Sequence, residues 1–230
     1  MNLPTHIAIV PDGNRRWAKQ QGLPTFMGHQ KGAEAAEKLL EDALQRQIKY
    51  FTLWGCSIDN VTKRDPVEVK FLFEIFERYF KKLLESKTTH EHQVRLRVLG
   101  AWRDYFPPSL QEVIADMMEK TKEHAEHHLT FLMAYSGFDE MTKAIQTMAA
   151  GSTGTITPQV IKEHLFTADL PAVDLFIRTG GEPHWSSGFM MWDIADALLY
   201  FTEKMWPDFT PSEFQKALEF YEGTQRRRGV

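Results

Sequence analysis

Residues 6–17 read His6-Ile7-Ala8-Ile9-Val10-Pro11-Asp12-Gly13-Asn14-Arg15-Arg16-Trp17. The apolar run over residues 6–10 predicts a short buried strand, and the Pro-Asp-Gly-Asn stretch after it predicts a turn. Two arginines and a tryptophan follow the turn at once. Polar side chains therefore concentrate where the first strand ends, and the glycine there lets the backbone approach a ligand closely.

Strands and helices alternate along the rest of the chain. Apolar and β-branched runs predict five further strands, over residues 49–54, 94–99, 129–135, 173–178 and 197–201. Helices are predicted over residues 32–47, 66–84, 108–126, 137–150 and 211–223, with another starting at 157–158. Single helices between strands favour one α/β domain over residues 1–230, built on a central, mostly parallel six-stranded sheet flanked by helices. Ligands of such sheets bind at the carboxyl ends of the strands.

Composition narrows the class of protein. The 230 residues carry 27 Lys and Arg against 31 Asp and Glu, a net charge of −4, which disfavours a general nucleic-acid binder. The single cysteine excludes an intrachain disulfide framework and a multi-cysteine zinc site, and it favours a cytoplasmic protein. We expect no signal peptide and no membrane span, which leaves only peripheral membrane contact. The aromatic content of 12% favours either a hydrophobic core with many large side chains or a large apolar cavity.

The loop after the first strand has the chemistry of a phosphate site. Arg15 and Arg16 offer planar cations that match phosphate geometry, and Asn14 with nearby amides can donate to anionic oxygens. Asp12 could hold Mg²⁺ against the same phosphates. The structural alternative is a capped turn with a solvated basic pair, which composition alone favours. Neither common glycine-rich nucleotide-binding fingerprint is present in the chain.

Several motifs lie in a fixed order along nearly the whole chain. The first is Asp12-Gly13-Asn14-x-Arg16-Trp17 with Gly28-His29 downstream, and the most specific is the stretch VDLFIRTGGE over residues 173–182. The others are VRLRVLG (94–100), SGFMMW (187–192), YFT (200–202), WPDF (206–209) and the terminal RRG (227–229). Together they resemble the motifs of the cis-prenyltransferases, the family of undecaprenyl diphosphate synthase.

The resemblance implies an enzyme that joins an allylic prenyl diphosphate to isopentenyl diphosphate with cis geometry. It also implies Mg²⁺, a homodimer and an apolar tunnel. Catalytic roles are expected for Asp12, Asn14 and His29, with Asp12 also a metal ligand. The residues expected to bind substrate are Gly13, Arg15, Arg16 and Trp17 in the first loop, Ser57, Asn60 and Arg64 in a mobile second loop, Arg178 and Ser187 on the isopentenyl side, and Arg227 and Gly229 in a tail that reaches the diphosphate in the dimer.

Five features depart from the family's pattern. Leu198 stands where the family has a metal-binding Glu, so only Asp193 or Asp196 could substitute, and only if the backbone turns differently. The stretch PHWSS (183–187) is one residue longer than usual and lacks an arginine. The remaining departures are Thr25 and Phe138 in place of arginines, and Val61-Thr62 in place of an aromatic residue. Most of these changes remove charge or metal affinity, which weakens the expectation of Mg²⁺.

The departures leave several functions open. A diverged chain elongator would keep isopentenyl diphosphate as acceptor, with His184 or Lys63 compensating. An altered acceptor would instead give irregular coupling of allylic diphosphates, prenylation of an apolar or aromatic small molecule, or cyclisation. A non-catalytic partner subunit is a further alternative, against which the retained Asp-Gly-Asn loop argues.

Three features outside the loops have competing interpretations. Helix 66–84 is too apolar for one buried stripe, so a second face could line the tunnel or contact another subunit. His124, His127 and His128 have spacings that could bind a metal, but a polar helix end is favoured. Cys56 has no adjacent base and is expected to be structural.

Overall fold

The computed structural model describes residues 3–151 and 154–224. Within them the strands are β1 His6–Val10, β2 Tyr50–Trp54, β3 Val94–Leu99, β4 His127–Leu132, β5 Leu175–Arg178 and β6 Leu198–Phe201. They form one six-stranded sheet in the order β3-β4-β2-β1-β5-β6, and every neighbouring pair is parallel. The predicted single-domain α/β fold with a six-stranded sheet is confirmed.

Helices connect the strands and cover the sheet. Those in the described part of the chain are α1 Asn14–Gln20, α2 Thr25–Gln45, α3 Ile58–Thr62, α4 Pro66–Glu85, α5 Lys87–Glu91, α6 Trp102–Tyr105, α7 Pro108–Lys120, α8 Gly137–Gly151, α9 Pro158–Glu163 and α10 Pro211–Gly223. Proline occupies the first turn of α4, α7, α9 and α10, where its missing N–H costs no hydrogen bond. None of these helices has the length and apolar character needed to cross a bilayer.

The first two helices differ from the prediction. The predicted loop after β1 is helical from Asn14, and α2 begins at Thr25 rather than at residue 32. Gly28 and Gly32 both lie inside α2, at the point where α1 crosses it closely. A Cβ atom at Gly28 would lie 2.1 Å from the Asn14 carbonyl oxygen, and one at Gly32 would lie 2.2 Å from Asn14 Oδ1. These glycines therefore serve helix packing.

The strand register brings the predicted functional loops to one edge of the sheet. Val10 pairs with Arg178, so the ends of β1 and β5 lie side by side. Leu53, near the end of β2, pairs with Ile9 on the other side of β1. The segments that follow these three strands contain most of the predicted site residues. Their meeting at one edge follows from parallel pairing alone.

An apolar cavity of about 220 Å³ lies between the sheet and two helices, α2 and α4. Asn14 and His29 line it near the carboxyl edge of the sheet, and His127 lines it at the amino end of β4. Leu72 and Phe76 of α4 face it from the side. This agrees with the prediction that α4 has one face on a tunnel.

The histidine group differs from the prediction. His127 and His128 lie in β4 rather than at a helix end, and neighbouring strand residues point to opposite faces of a sheet. The Nδ1 atoms of His124 and His127 contact backbone carbonyl oxygens at 2.9 and 3.0 Å, and the His128 ring stacks on Tyr50. Residues 3–151 and 154–224 contain no group of three His, Cys, Asp or Glu side chains that could hold a metal.

Cys56 is buried and has a free thiol. Its Sγ atom accepts a hydrogen bond from the Ala134 amide at 3.2 Å. Burial raises the pKa of the thiol to about 12, so the nucleophilic thiolate is not populated near neutral pH. This agrees with the expected structural role.

The burial of His6 predicts that the protein loses stability in acid. The ring is fully buried, its Nδ1 donates to the Pro171 carbonyl at 2.8 Å, and its Nε2 accepts from the Thr52 hydroxyl at 2.9 Å. Burial lowers its pKa from 6.5 to about 4, so between these values the unfolded chain binds a proton that the folded chain does not. The free energy of unfolding should therefore fall by roughly 3 kcal/mol as the pH drops from 7 to 4 on account of this group.

Urea unfolding at pH 7 and pH 5 measures this effect. His6→Asn, which retains a donor and an acceptor but does not titrate, should lose part of the pH dependence. Equal pH dependence of the two proteins would contradict the assignment.

Candidate active site

Asp12 lies two residues beyond the end of β1, with its carboxylate between two arginines. Oδ1 is 3.1 Å from an Arg16 guanidinium nitrogen, and Oδ2 accepts a hydrogen bond of 2.9 Å from Arg178. The Asp12 carbonyl accepts from the Thr179 hydroxyl at 2.8 Å and from the Trp206 amide at 2.9 Å. Backbone and side chain are therefore both held in place. Gly13, which follows with φ 109°, turns the chain into α1.

Arg178 is buried at the end of β5, with 3% of its surface exposed. One terminal nitrogen donates to the His184 carbonyl at 2.8 Å and to Ser186 Oγ at 2.5 Å, and the other contacts Asp12 and Glu182. Its buried Nε has no hydrogen-bond partner within the described residues. A buried guanidinium with an unused donor is typical of a site that binds an anion.

Glu182 completes this cluster. Its Oε1 is 3.2 Å from Arg16, and its Oε2 is 3.3 Å from the Arg178 nitrogen that also contacts Asp12. Two carboxylates and two guanidinium groups thus alternate at the carboxyl edge of the sheet. Both guanidinium groups, which are donors of the kind that bind phosphate oxygens in pairs, are thus paired with carboxylates in this structure.

His29 lies in a second cluster built around Glu68. The Glu68 carboxylate accepts from His29 Nε2 at 2.9 Å and from Arg64 at 3.2 Å, and Arg15 lies 3.6 Å away. Burial lowers the pKa of His29, although Glu68 opposes this shift. The imidazole is therefore neutral at pH 7 and donates its Nε2 proton to Glu68. Arg15, which is largely exposed, extends the cluster towards solvent.

Asn14 connects the charged clusters with the cavity. Its side-chain amide lies against Gly32 and lines the end of the cavity next to His29. Asn14 Oδ1 is buried and accepts no hydrogen bond from the described residues, while Nδ2 lies 3.5 Å from the Pro11 carbonyl. A buried acceptor without a partner costs free energy unless a bound group or water pairs with it.

Three other predicted site residues make local contacts. Ser57 and Asn60 form a reciprocal cap at the start of α3, in which each side chain bonds the other's backbone amide at 3.1 Å. Trp17 donates its indole N–H to Asp208 at 2.9 Å. Their substrate contacts stay predictions.

The serine nearest to Arg178 is Ser186 rather than Ser187. Ser187 has φ 47°, and its carbonyl oxygen accepts a hydrogen bond of 3.0 Å from the Gly137 amide. The stretch with the additional residue therefore brings the Ser186 hydroxyl to the guanidinium. Ser187 as a substrate ligand stays a prediction.

Leu198, which stands where the family has a metal-binding Glu, lies away from Asp12 within this chain, as do Asp193 and Asp196. Leu198 pairs with Leu175 at the amino end of β6, about 10 Å along the strand from Phe201, the partner of Arg178. Asp193 is buried and engaged by Lys162 and Thr167, and Asp196 precedes β6. Neither aspartate lies in the Asp12 cluster. Arg227 and Gly229 lie outside the described residues.

The sequence interpretation missed two carboxylates. Glu182 is the last residue of the most specific motif, VDLFIRTGGE, but the sequence did not indicate a binding or catalytic role for it. Glu68 lies four residues after Arg64, but Arg64 precedes α4, so the pair forms across the start of the helix and no helical spacing indicates it. Their contacts with His29 and Arg16 depend on the tertiary fold.

Paired arginines and carboxylates at the carboxyl edge of the sheet, where Asn14 and His29 also line the apolar cavity, are features expected of an enzyme that acts on a diphosphate ester with an apolar tail. Residues 10–229 match the sequence profile of the undecaprenyl diphosphate synthase family. The chain is 36% identical to an isoprenyl transferase of Thermotoga maritima, with 100% of this chain and 98% of the relative covered. It is also 36% identical to a ditrans,polycis-undecaprenyl-diphosphate synthase ((2E,6E)-farnesyl-diphosphate specific) of Coxiella burnetii, with 99% and 97% covered.

A solved structure supports the same grouping. Lavandulyl diphosphate synthase from Lavandula x intermedia, in complex with dimethylallyl diphosphate, superposes with a TM-score of 0.90 at 29% identity, covering 99% of each chain. The chain belongs to the undecaprenyl diphosphate synthase family and is a prenyl-transferring enzyme. The predicted family and enzyme class are confirmed. The sequence relatives favour cis elongation over the altered-acceptor and partner-subunit alternatives.

Proposed function

We propose that this protein elongates an allylic prenyl diphosphate with isopentenyl diphosphate, forming a cis double bond. The observation that carries the proposal is the Asp12–Arg16–Arg178–Glu182 cluster at the edge of the sheet that also bounds the apolar cavity. A new carbon–carbon bond forms as the allylic carbon–oxygen bond breaks. The diphosphate leaves the allylic carbon with the bonding electrons, and an oxygen of this diphosphate takes the proton that the acceptor carbon loses.

Each cluster has its own task in this reaction. Asn14, Arg15, Arg16 and the amides around Gly13 bind the allylic diphosphate, whose apolar tail enters the cavity past His29. Guanidinium groups neutralise the charge that develops on the departing diphosphate. Arg178 binds the acceptor's diphosphate together with Ser186 or Ser187. Glu68 keeps His29 and Arg64 oriented towards the mouth of the cavity.

Mg²⁺ fits the oxygen ligands of this site. The ion is commonly held by one or two carboxylates together with substrate phosphates, and Asp12 and Glu182 supply two carboxylates within reach of one Arg178 nitrogen. When bound, the ion would neutralise diphosphate charge and so help the leaving group depart. Asp12 remains the proposed ligand, and Glu182 takes the place that Leu198 cannot fill.

Radiolabelled isopentenyl diphosphate tests the proposal. The wild-type protein is incubated with dimethylallyl, geranyl or farnesyl diphosphate, with Mg²⁺ or with EDTA, and the butanol-soluble label is measured. We expect label in longer prenyl chains only when an allylic diphosphate and Mg²⁺ are both present. Diphosphate release at the same rate without isopentenyl diphosphate would overturn the elongation, and unchanged turnover in EDTA would overturn the metal.

A homodimer is proposed on the surface beside β6. This strand is at the edge of the sheet, Leu199 is 47% exposed, and exposed Phe220 packs against Tyr200 nearby. Exposed apolar side chains on an edge strand favour burial against a second copy. The proposed dimer would bring the predicted Arg227 and Gly229 tail of one copy to the other's diphosphate.

A charge on the edge strand should separate the dimer. Light scattering after gel filtration should give a dimeric wild type and a monomeric Leu199→Lys, because a buried lysine lacks a partner there. Ile156→Lys, which changes a still more exposed apolar residue in the loop before α9, should remain dimeric. A monomeric wild type, or a dimeric Leu199→Lys, would contradict this interface.

The cytoplasmic location, peripheral membrane contact and a single catalytic domain over residues 1–230 stay predictions. The absence of nucleic-acid binding is likewise expected from the net charge of −4.

A further inference from the structure

The segment that contacts Arg178 has an unusual backbone. Residues 184–193, which we call the acceptor segment, contain Ser187 at φ 47°, Gly188 at φ 61° and Met190 at φ 43°. The left-handed region is unfavourable for a residue with a side chain, so Ser187 and Met190 need contacts that hold them there. This segment also supplies the His184 carbonyl and the Ser186 hydroxyl to Arg178.

Tyr135 supplies one of these contacts. Its side chain is fully buried, and its hydroxyl oxygen accepts a hydrogen bond of 3.1 Å from the Met190 amide. The same hydroxyl donates to Glu140 Oε2 at 2.5 Å. Beside it, the Gly137 amide donates to the Ser187 carbonyl at 3.0 Å. Tyr135, just before α8, and Gly137, at its start, therefore hold the acceptor segment at Met190 and Ser187, two of its three left-handed positions.

A buried polar network continues from Tyr135 back to the same segment. Glu140 Oε1 accepts from the Thr167 amide at 3.1 Å, and the Thr167 hydroxyl donates to Asp193 Oδ2 at 2.6 Å. Lys162 donates to Asp193 Oδ1 at 2.5 Å. Glu140, Thr167 and Asp193 are each at most 3% exposed. Because these groups are shielded from water, losing one partner leaves the other unsatisfied.

We propose that Tyr135 and Glu140 are positioning residues that hold the acceptor segment in the conformation in which it orients Arg178 for the acceptor diphosphate. They touch none of the charged groups around Asp12 and act only through Met190 and Asp193. This inference rests on the proposed function, since it assigns the Arg178 side of the site to isopentenyl diphosphate. Burial raises the pKa of Tyr135, so its hydroxyl keeps its proton and donates it in the hydrogen bond to Glu140.

Tyr135→Phe tests the proposal because it removes only the hydroxyl. We expect the KM for isopentenyl diphosphate to rise about tenfold, the equivalent of one lost buried hydrogen bond, while the KM for the allylic diphosphate stays within about twofold. Amide hydrogen exchange in a peptide covering residues 184–193 should accelerate by a similar factor. Exchange in peptides from β1 and β2 should not change.

Thr121→Val is the matched control. Thr121 is also fully buried, and its hydroxyl makes two backbone hydrogen bonds, from the Leu96 amide and to the Met117 carbonyl, outside the acceptor segment. This variant should lose comparable thermal stability without a change in either KM. If Tyr135→Phe does not fold, Glu140→Gln, which keeps the shape of the side chain, is measured instead and should shift the same KM in the same direction.

The outcomes separate this inference from the proposed function. Faster exchange in residues 184–193 with an unchanged KM for isopentenyl diphosphate would overturn the positioning role, as would equal rises of both KM values. Unchanged exchange would overturn the anchoring itself. A wild-type protein that never consumes isopentenyl diphosphate would overturn the proposed function, while the exchange measurement would still decide whether Tyr135 holds the segment.

Discussion

Asp12→Asn is expected to lower kcat by about 1,000-fold, a loss of roughly 4 kcal/mol of transition-state stabilisation. The substitution preserves shape but removes the negative charge that would bind Mg²⁺ and that orients Arg16 and Arg178. An amide also presents a donor to one guanidinium group, and that donor repels it. Single-turnover measurement with saturating substrates separates this chemical effect from binding.

Asp116→Asn is the control for Asp12→Asn. Asp116 makes the same kind of pair, with Lys120, but on the exposed surface of α7. Activity should be unchanged because exposed pairs of this kind contribute at most about 1 kcal/mol to stability and none to the site. If Asp12→Asn retained a tenth of wild-type kcat, Asp12 would not be the central carboxylate.

Arg178→Lys is expected to lower kcat/KM for isopentenyl diphosphate by about 100- to 1,000-fold. The buried guanidinium contacts Asp12, Glu182, His184 and Ser186 from its two terminal nitrogens. A lysine has one nitrogen on a flexible stem and cannot make these contacts simultaneously. Initial-rate kinetics with each substrate varied in turn measure the effect, and the allylic KM should change less than the isopentenyl KM.

Arg46→Lys provides the comparison for this substitution. Arg46 also uses two nitrogens, bonding Asp42 and Gln215 at 2.6 Å each, but it joins α2 to α10 outside the site. It should lose stability without a selective change in acceptor kinetics. Equal kinetic effects of the two variants would show that Arg178 acts only by supporting the fold.

Local signals in the sequence were sufficient for most of the secondary structure. β1 and α10 begin and end at the predicted residues, because an apolar run before Pro-Asp-Gly and a proline-initiated amphipathic segment need no distant contact to be recognised. The start of α2 could not be predicted in the same way. Gly28 and Gly32 are helix breakers by propensity, and only the crossing of α1 explains their place inside a helix.

For the candidate site as well, the sequence indicated the chemistry of the side chains but not their contacts. The residue types around Asp12 and Arg178 indicated diphosphate chemistry because charge and hydrogen-bonding capacity belong to the side chains themselves. The partners of these side chains did not follow from the sequence. Glu68 meets His29 across 39 positions, and the Tyr135 hydroxyl meets the Met190 amide across 55.

The sequence by itself determined the order of strands and helices, the chemistry of the loops and the family, since these depend on residue types and short spacings. Only the tertiary structure decided that Asp12 and Arg178, 166 positions apart, contact each other, because parallel pairing of β1 with β5 sets their register. It also decided that Ser186 rather than Ser187 meets the guanidinium, since the left-handed turns at Ser187 and Met190 depend on contacts from Gly137 and Tyr135. Pairing and packing join residues distant in the chain, and no local pattern contains that information.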